Sequence, residues 1–171
     1  GGEPGSGETL RPDYFENTEL GVKVDLSSDL SLTAAYFDSE ADKAGYDGSS
    51  SEYIVERGLV VDGIELELKG KVNDNLDVTF GYTSMDGKNG TKDAREIPES
   101  MYSLWANYEV NPKLGWAVGV MHQGESLIKD GGTQMLPDYT RVDAAVYFML
   151  SNDFRLQVNM ENLTDELYFP H

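Results

Sequence analysis

Hydrophobic and polar residues alternate with a period of two along most of this chain. Leu20, Val22, Val24 and Leu26 share one parity, against Glu19, Gly21, Lys23 and Asp25 on the other. Ile64, Leu66, Leu68, Gly70 and Val72 stand opposite Glu65, Glu67, Lys69 and Lys71. The clearest run comes last: Thr140, Val142, Ala144, Val146, Phe148 and Leu150, then Phe154, Leu156, Val158 and Met160 after a short polar break. Successive side chains on a strand point to opposite faces, so this pattern predicts antiparallel strands with one apolar and one polar face.

The same reading places strands at about 16–26, from Leu30 to Tyr36, at about 53–72, from Leu76 to Thr83, at about 100–110, from Leu114 to Val120, and in the 139–150 and 154–161 pair. A bulge is expected near Gly58 or Gly63. The connections fall into two kinds. SSD (27–29), NDN (73–75), NPK (111–113) and SND (151–153) read as three-residue turns, whereas about 38–52, 86–98 and 122–138 read as long, polar, glycine-rich loops. In an up-and-down meander alternate connections share an end, which gives one tight rim and one looped rim, the usual place for recognition. Residues 1–13 read as loop or linker. The expected fold is therefore an all-β antiparallel meander of about eight strands over residues 14–171.

Charge and composition narrow the setting. A formal net charge of −18 with 13 Lys and Arg excludes nucleic acid as a natural partner. There are no cysteines, hence no disulfide framework or thiolate metal site. No apolar run is long enough for a transmembrane helix, a test that does not detect barrel strands. Tyr82, Tyr102, Tyr108 and Trp116 lie on the apolar parity near strand ends, where an interfacial girdle places aromatic rings. The opposite parity is too polar for a packed core. These features favour a membrane barrel, apolar outside and wet inside, over a soluble one with the reverse arrangement.

No catalytic constellation stands out, so the chain reads as a non-enzyme. His122 and His171 lack metal-ligand spacing. DGKNGTKD (86–93) has some calcium-loop composition but not the closing glutamate or flanking helices. No cofactor is expected.

Three stretches resemble bacterial TonB-dependent outer-membrane receptors for ferric siderophores. They are ENTELGVKVDLSSDLSLTAAYFDSE (16–40), VDGIELELKGKVNDNLDVTFGYTSMDG (61–87) and LPDYTRVDAAVYFMLSNDFRLQVNMENLTDELYF (136–169). The shared features are Glu19-x-Gly21-x-Lys23, Gly63 with Glu65 and Glu67, Gly81-Tyr82-Thr83, the Leu136-Pro137-x-Tyr139-Thr140-Arg141-Val142-Asp143 lead-in and the Glu161-Asn162-Leu163-x-Asp165-x-x-Tyr168 close. Arg95, Ile97, Pro98 and Ser103 match as well. The resemblance implies the C-terminal part of a transmembrane barrel of about 22 strands, with the plug domain and closing strand outside this stretch. It also implies the cell outer membrane of a Gram-negative bacterium, with lipid, the receptor's own plug, TonB and a ferric siderophore as partners. The short turns would then face the periplasm.

On that resemblance, Glu65, Glu67, Lys69, Asp77, Glu109, Arg141, Asp143, Arg155 and Glu161 are expected to face the lumen and plug. Tyr46, Tyr53, Arg57, Lys88, Lys92, Arg95, His122 and Lys129 are the outer-loop candidates for contact with an anionic iron chelate, through stacking and charge. The competing reading is a small autonomous eight-stranded barrel, either a membrane adhesion or stability protein or a soluble ligand-binding barrel, with no transport role.

Overall fold

A computed structural model of the chain describes residues 14–47, 52–151 and 153–167. Eight long strands form one sheet: β1 (Tyr14–Asp25), β2 (Leu30–Asp47), β3 (Glu52–Asn73), β4 (Leu76–Asn89), β6 (Ser100–Asn111), β7 (Leu114–Gln123), β10 (Tyr139–Ser151) and β11 (Phe154–Met160). Three two-residue strands accompany them: β5 (Lys92–Asp93), β8 (Ser126–Leu127) and β9 (Met135–Leu136). The sheet order is β1-β2-β3-β4-β6-β7-β10-β11, with β5 on β4 and β8 paired separately with β9. Every long pairing is antiparallel between neighbours in the chain, which is the expected meander.

Register turns the sequence alternation into two continuous faces. Val24, Leu32, Leu68, Phe80, Leu104, Val120 and Val142 form one unbroken cross-strand row. Nearer the short turns runs a parallel row of Leu76, Tyr108, Trp116, Val146 and Val158. One residue away, on the other face, lies Ser31-Lys69-Thr79-Trp105-Gly119-Asp143. A one-residue slip in any strand would carry its apolar set across the sheet, so the alternation itself specifies the register.

The sheet is a single layer with almost no core of its own. Among the described residues the buried hydrophobic side chains are only Ala35, Ala94, Ala117 and Ala145. Large apolar groups stay open to the surroundings, including Leu20 at 77% and Val22 at 60% exposure. In water that apolar face would lose most of the stabilisation that burial supplies, so it requires lipid or a partner layer. The two edges, β1 and β11, do not pair with each other. The reading as a closed eight-stranded barrel is therefore overturned: closure needs that pairing, and an open edge in lipid leaves backbone groups unsatisfied.

Two expectations about the connections also change. Part of the looped rim is strand. β2 runs to Asp47 and β3 begins at Glu52, so most of 38–52 is a paired hairpin. Likewise β4 reaches Asn89 and turns into β5, while β7 reaches Gln123 and the segment beyond it folds back through β8 and β9. Hydrophobic alternation signals a strand only where one face is apolar, but backbone pairing continues where both faces meet water. Two of the tight turns are shorter than expected, with Asp74-Asn75 joining β3 to β4 and Pro112-Lys113 joining β6 to β7, while the β1–β2 turn, residues 26–29, is longer. In each of the two shorter turns, the asparagine that ends the strand stabilises the turn. Asn73 Oδ1 accepts the amides of Asn75 (2.9 Å) and Leu76 (3.0 Å), and Asn111 Oδ1 those of Lys113 (2.9 Å) and Leu114 (3.1 Å).

The bulge falls at the first of its two expected places. The β2–β3 register shifts between Ala41 and Lys43, where Arg57 and Gly58 lie opposite Asp42, while Gly63 stays in register with Phe37. A second irregularity is Gly70, at φ +134°, where a Cβ would lie 1.8 Å from the Asp29 carbonyl oxygen. Only glycine allows β2 to enter the sheet so closely there.

Candidate functional site

Within the apolar band, the opposite face carries a polar network. Arg141 and Asp143 project from the same face of β10, with Nε–Oδ1 at 2.9 Å and Nη2–Oδ2 at 3.0 Å. Asp143 Oδ1 also accepts the backbone amide of Asn162 at 2.8 Å, and Glu161 Oε2 lies 3.9 Å from Arg141 Nη2. The chain leaving β11 is thereby fastened to the wall. Lys71 and Asp77, partners across β3 and β4, form an ion pair at 3.2 Å. Arg155 sits over the Tyr147 ring, 4.7 Å from its centroid. Glu65, Glu67, Lys69 and Glu109 share this face, so the eight lumen candidates stand on one side of the sheet, with Glu161 joining just after β11.

Beyond the band the polarity of the two faces inverts. Past Tyr36 and Ile64, the parity that was apolar carries Asp38, Asp62 and Asp86 in one cross-strand row. The other parity carries Phe37, Gly63 and Met85. This inversion marks where the lipid-compatible surface ends on β2, β3 and β4.

Three segments meet at this outer end. The Lys88 ammonium is held by Asp93 across the β4–β5 hairpin, with Asp86 at 3.8 Å. The hydrogen bond to Asp93 and the charges of Asp86 and Asp93 push the Lys88 pKa above the usual lysine value. Asp130 joins the β8–β9 segment to the same hairpin: Oδ1 accepts the Arg95 amide at 2.7 Å and Oδ2 the Asn89 side-chain amide at 2.8 Å. Those two bonds, aided by Arg95 and Lys92, hold its carboxyl below the ordinary carboxylate range. Backbone bonds from Glu96 to Leu127 (2.9 Å) and from Gly131 to Asp93 (2.8 Å) complete the fastening.

A cavity of about 530 Å³ opens between these segments. Its lining includes Asp86, Lys88, Asp93, Glu99, Glu125 and Ser126. Ser126 is 2% exposed, and its Oγ has no hydrogen-bond partner among the described residues. The volume suits a small molecule or one arm of a larger one.

The predicted ligand contacts are dispersed. Lys88 lines the cavity but is engaged by carboxylates. Arg95 enters the structure through its backbone amide. Lys92 lies in β5, paired with Asn89, and Lys129 between β8 and β9. His122 is not a loop residue. It stands in β7 on the apolar face, stacked on Tyr102 (4.6 Å between centroids, 18° between planes), with Nδ1 2.9 Å from Thr140 Oγ1. That position belongs to the aromatic girdle. Tyr46, Tyr53 and Arg57 fall on strand backbone, Tyr46 pairing with Tyr53, and their side chains lie outside the described residues. So do His171 and the 1–13 segment. The 86–93 stretch, with its calcium-loop composition, is the β4–β5 hairpin. Sequence reasoning missed Asp130 and Ser126. DGGT (130–133) signals a turn, but nothing local tells which distant amides Asp130 will meet.

Comparison with known proteins fits this geometry. The family model described as TonB-dependent receptor-like, β-barrel, matches residues 1–163. A probable TonB-dependent siderophore receptor, PiuA, of Acinetobacter baumannii is 29% identical over 182 residues, covering 95% of this chain and 24% of that protein. The ferrioxamine receptor of Yersinia enterocolitica is 29% identical over 175 residues, covering 93% and 24%. Among solved structures, the ferric preacinetobactin receptor BauA of A. baumannii superposes with a TM-score of 0.79 at 20% identity, over 93% of this chain and 26% of that one. The ferric-catecholate import receptor Fiu of E. coli K12 gives 0.76 at 22% identity, over 96% and 26%. The chain thus spans about a quarter of the length of the relatives it matches.

Proposed function

This chain belongs to the TonB-dependent receptor β-barrel family, and from that premise we propose that it forms part of the outer-membrane wall of an active importer of ferric siderophore complexes in a Gram-negative bacterium. Transport is energised through TonB, and the activity is import rather than catalysis. The observation that carries the reading is the pair of continuous faces. One is an apolar row crossing seven strands, and the other carries Glu67, Lys69, Arg141 and Asp143 one residue away. Such a wall separates lipid from a wet lumen.

In this reading the polar face, from Glu65 through Glu109 to Arg155 and Glu161, lies against the receptor's own plug domain and the path of the chelate. The outer end, with Lys88 and Arg95 among its cations, lies near the point where the chelate arrives. His122 stands apart from those cations, in β7 with its ring stacked on Tyr102.

The test uses the complete gene product in a Gram-negative strain lacking its own siderophore receptors, grown under iron limitation. Rescue by at least one ferric siderophore, abolished when TonB is deleted, is the expected result. No rescue by any chelate in a broad panel, with the protein folded in the outer membrane, would contradict it.

A further inference from the structure

The polar face is not uniformly charged. Its alternate positions from 79 to 85 on β4, 101 to 105 on β6 and 119 to 123 on β7 carry no ionisable side chain, and the three strands are neighbours in the sheet. The strands on either side carry Glu65, Glu67 and Lys69 on β3 and Arg141 and Asp143 on β10. Within the neutral sector Trp105 is 42% and Met121 50% exposed, on the face that meets water. Apolar groups gathered in the open on an otherwise polar surface mark a place that another molecule touches.

The sector also has a direction. Met85 lines the outer cavity and stands one same-face position from Thr83, the cross-strand partner of Met101. Met101 is likewise one same-face position from Ser103, the partner of Met121. The three methionines therefore step diagonally across β4, β6 and β7, from the outer cavity into the membrane band, at a spacing that long side chains can bridge. A second cavity, of about 260 Å³, lies at the inner end of this line and is lined by Gly81, Met101 and Met121 among others.

We propose that this neutral sector is the track along which the iron chelate leaves the outer cavity and passes down the lumen wall. A track must hold its cargo weakly and at several points, since a site that binds tightly does not let go. Flexible, polarizable methionines meet surfaces of varied shape without directional demands. On the β10 border Arg141 is engaged by Asp143, which leaves less charge to trap a passing anion. The inference rests on the import reading and adds to it which part of the wall the cargo follows.

The experiment uses the complete receptor in cells with and without TonB, with a radioiron-loaded ferric trihydroxamate and a ferric tris-catecholate as probes. Surface binding is read without TonB and uptake with it. Ser103→Lys and Gly81→Leu both obstruct the sector, and a side chain has room at Gly81, where a Cβ would lie 3.5 Å from Ser103 Oγ. Each should lower the maximal uptake rate of the imported probe about tenfold and leave its binding affinity within about twofold. Thr33→Lys, in the same cross-strand row but outside the sector, should leave both unchanged. Ser103→Cys repeats the measurement on receptor already folded, before and after a bulky water-soluble thiol reagent, which should slow uptake to the same degree. Uptake unaffected by both substitutions and by the reagent, or slowed equally by Thr33→Lys, overturns the proposal. So does a loss of affinity in step with rate, which would make the sector a static binding site or a fixed seat for the plug. If the unaltered receptor imports no chelate, these two included, the import reading falls and the track with it.

Discussion

Arg141 and Asp143 stand two positions apart on β10 and form a two-point ion pair, 2.9 Å from Nε to Oδ1 and 3.0 Å from Nη2 to Oδ2. The same carboxylate accepts the Asn162 amide at 2.8 Å, so one residue ties the strand to the chain that follows β11. Asp143 is only 28% exposed and Arg141 24%, which keeps water from replacing these bonds freely. Asp143→Ala should cost about 1–3 kcal/mol, the range for losing hydrogen bonds to a charged group. Arg141→Lys should restore only part of the pairing, because an ammonium cannot make the fork. Thermal unfolding in detergent micelles reads both effects.

Trp105 lies across Gly119 on the polar face, so close that a Cβ at Gly119 would sit 2.5 Å from the indole ring. Gly119→Ala must displace the ring and should cost about 1–3 kcal/mol, as overpacking does. With Trp105→Ala in the same chain the added cost should nearly vanish. A double-mutant cycle therefore predicts a coupling energy of similar size, whereas simple additivity would show that the contact carries nothing.

The two faces should respond oppositely to charge. Leu104→Arg places a guanidinium in the middle of the apolar row and should cost about 2–4 kcal/mol of folding into vesicles. Ser103→Arg, its neighbour on the polar face, should cost far less. Refolding yields into lipid vesicles as a function of urea compare the two directly.

Asp130 makes the outer end sensitive to acid. Its folded pKa is held below the ordinary carboxylate value by the Arg95 and Asn89 hydrogen bonds. The unfolded chain therefore binds this proton first. The contribution is full above the ordinary carboxylate pKa and fades as pH falls through the lower folded value. Lys88 has the opposite sign: its raised pKa gives a contribution that is present below the ordinary lysine value and lost as pH rises through the folded one. Hydrogen exchange of the Arg95 amide should be protected at neutral pH and lose protection on acidification below that range. Asp130→Ala should remove both the protection and its pH dependence, whereas Asp130→Asn, whose Oδ1 still accepts the Arg95 amide, should remove the pH dependence and keep part of the protection.

The sequence revealed the strands of the lipid band because alternation there has a physical cause: one side chain in two meets lipid. It revealed the polar face for the same reason, placing Lys69 and Asp143 on one side before any register was known. Where both faces meet water that signal is lost, so β2 beyond Phe37 and β4 beyond Met85 carry the pattern of a loop. The polarity of His122 suggests a loop, while its parity, shared with Val118 and Val120, puts it on the apolar face of β7. The outer cavity was not legible at all. It depends on Asp130 meeting the Arg95 amide 35 residues away and on Ser126 being buried by segments that no local pattern brings together.

The central claim is that one face of this sheet meets lipid and the other a water-filled lumen. Single cysteines introduced in turn from Met101 to Ala106 test it most directly, in intact outer membranes of cells producing the complete protein in a cysteine-free background. Each is probed with a small water-soluble thiol reagent and with a lipid-confined one. Positions 101, 103 and 105 should react with the soluble reagent and 102, 104 and 106 with the lipid-confined one, in strict alternation. Reversed alternation, or equal labelling of both sets by the soluble reagent, would contradict the account.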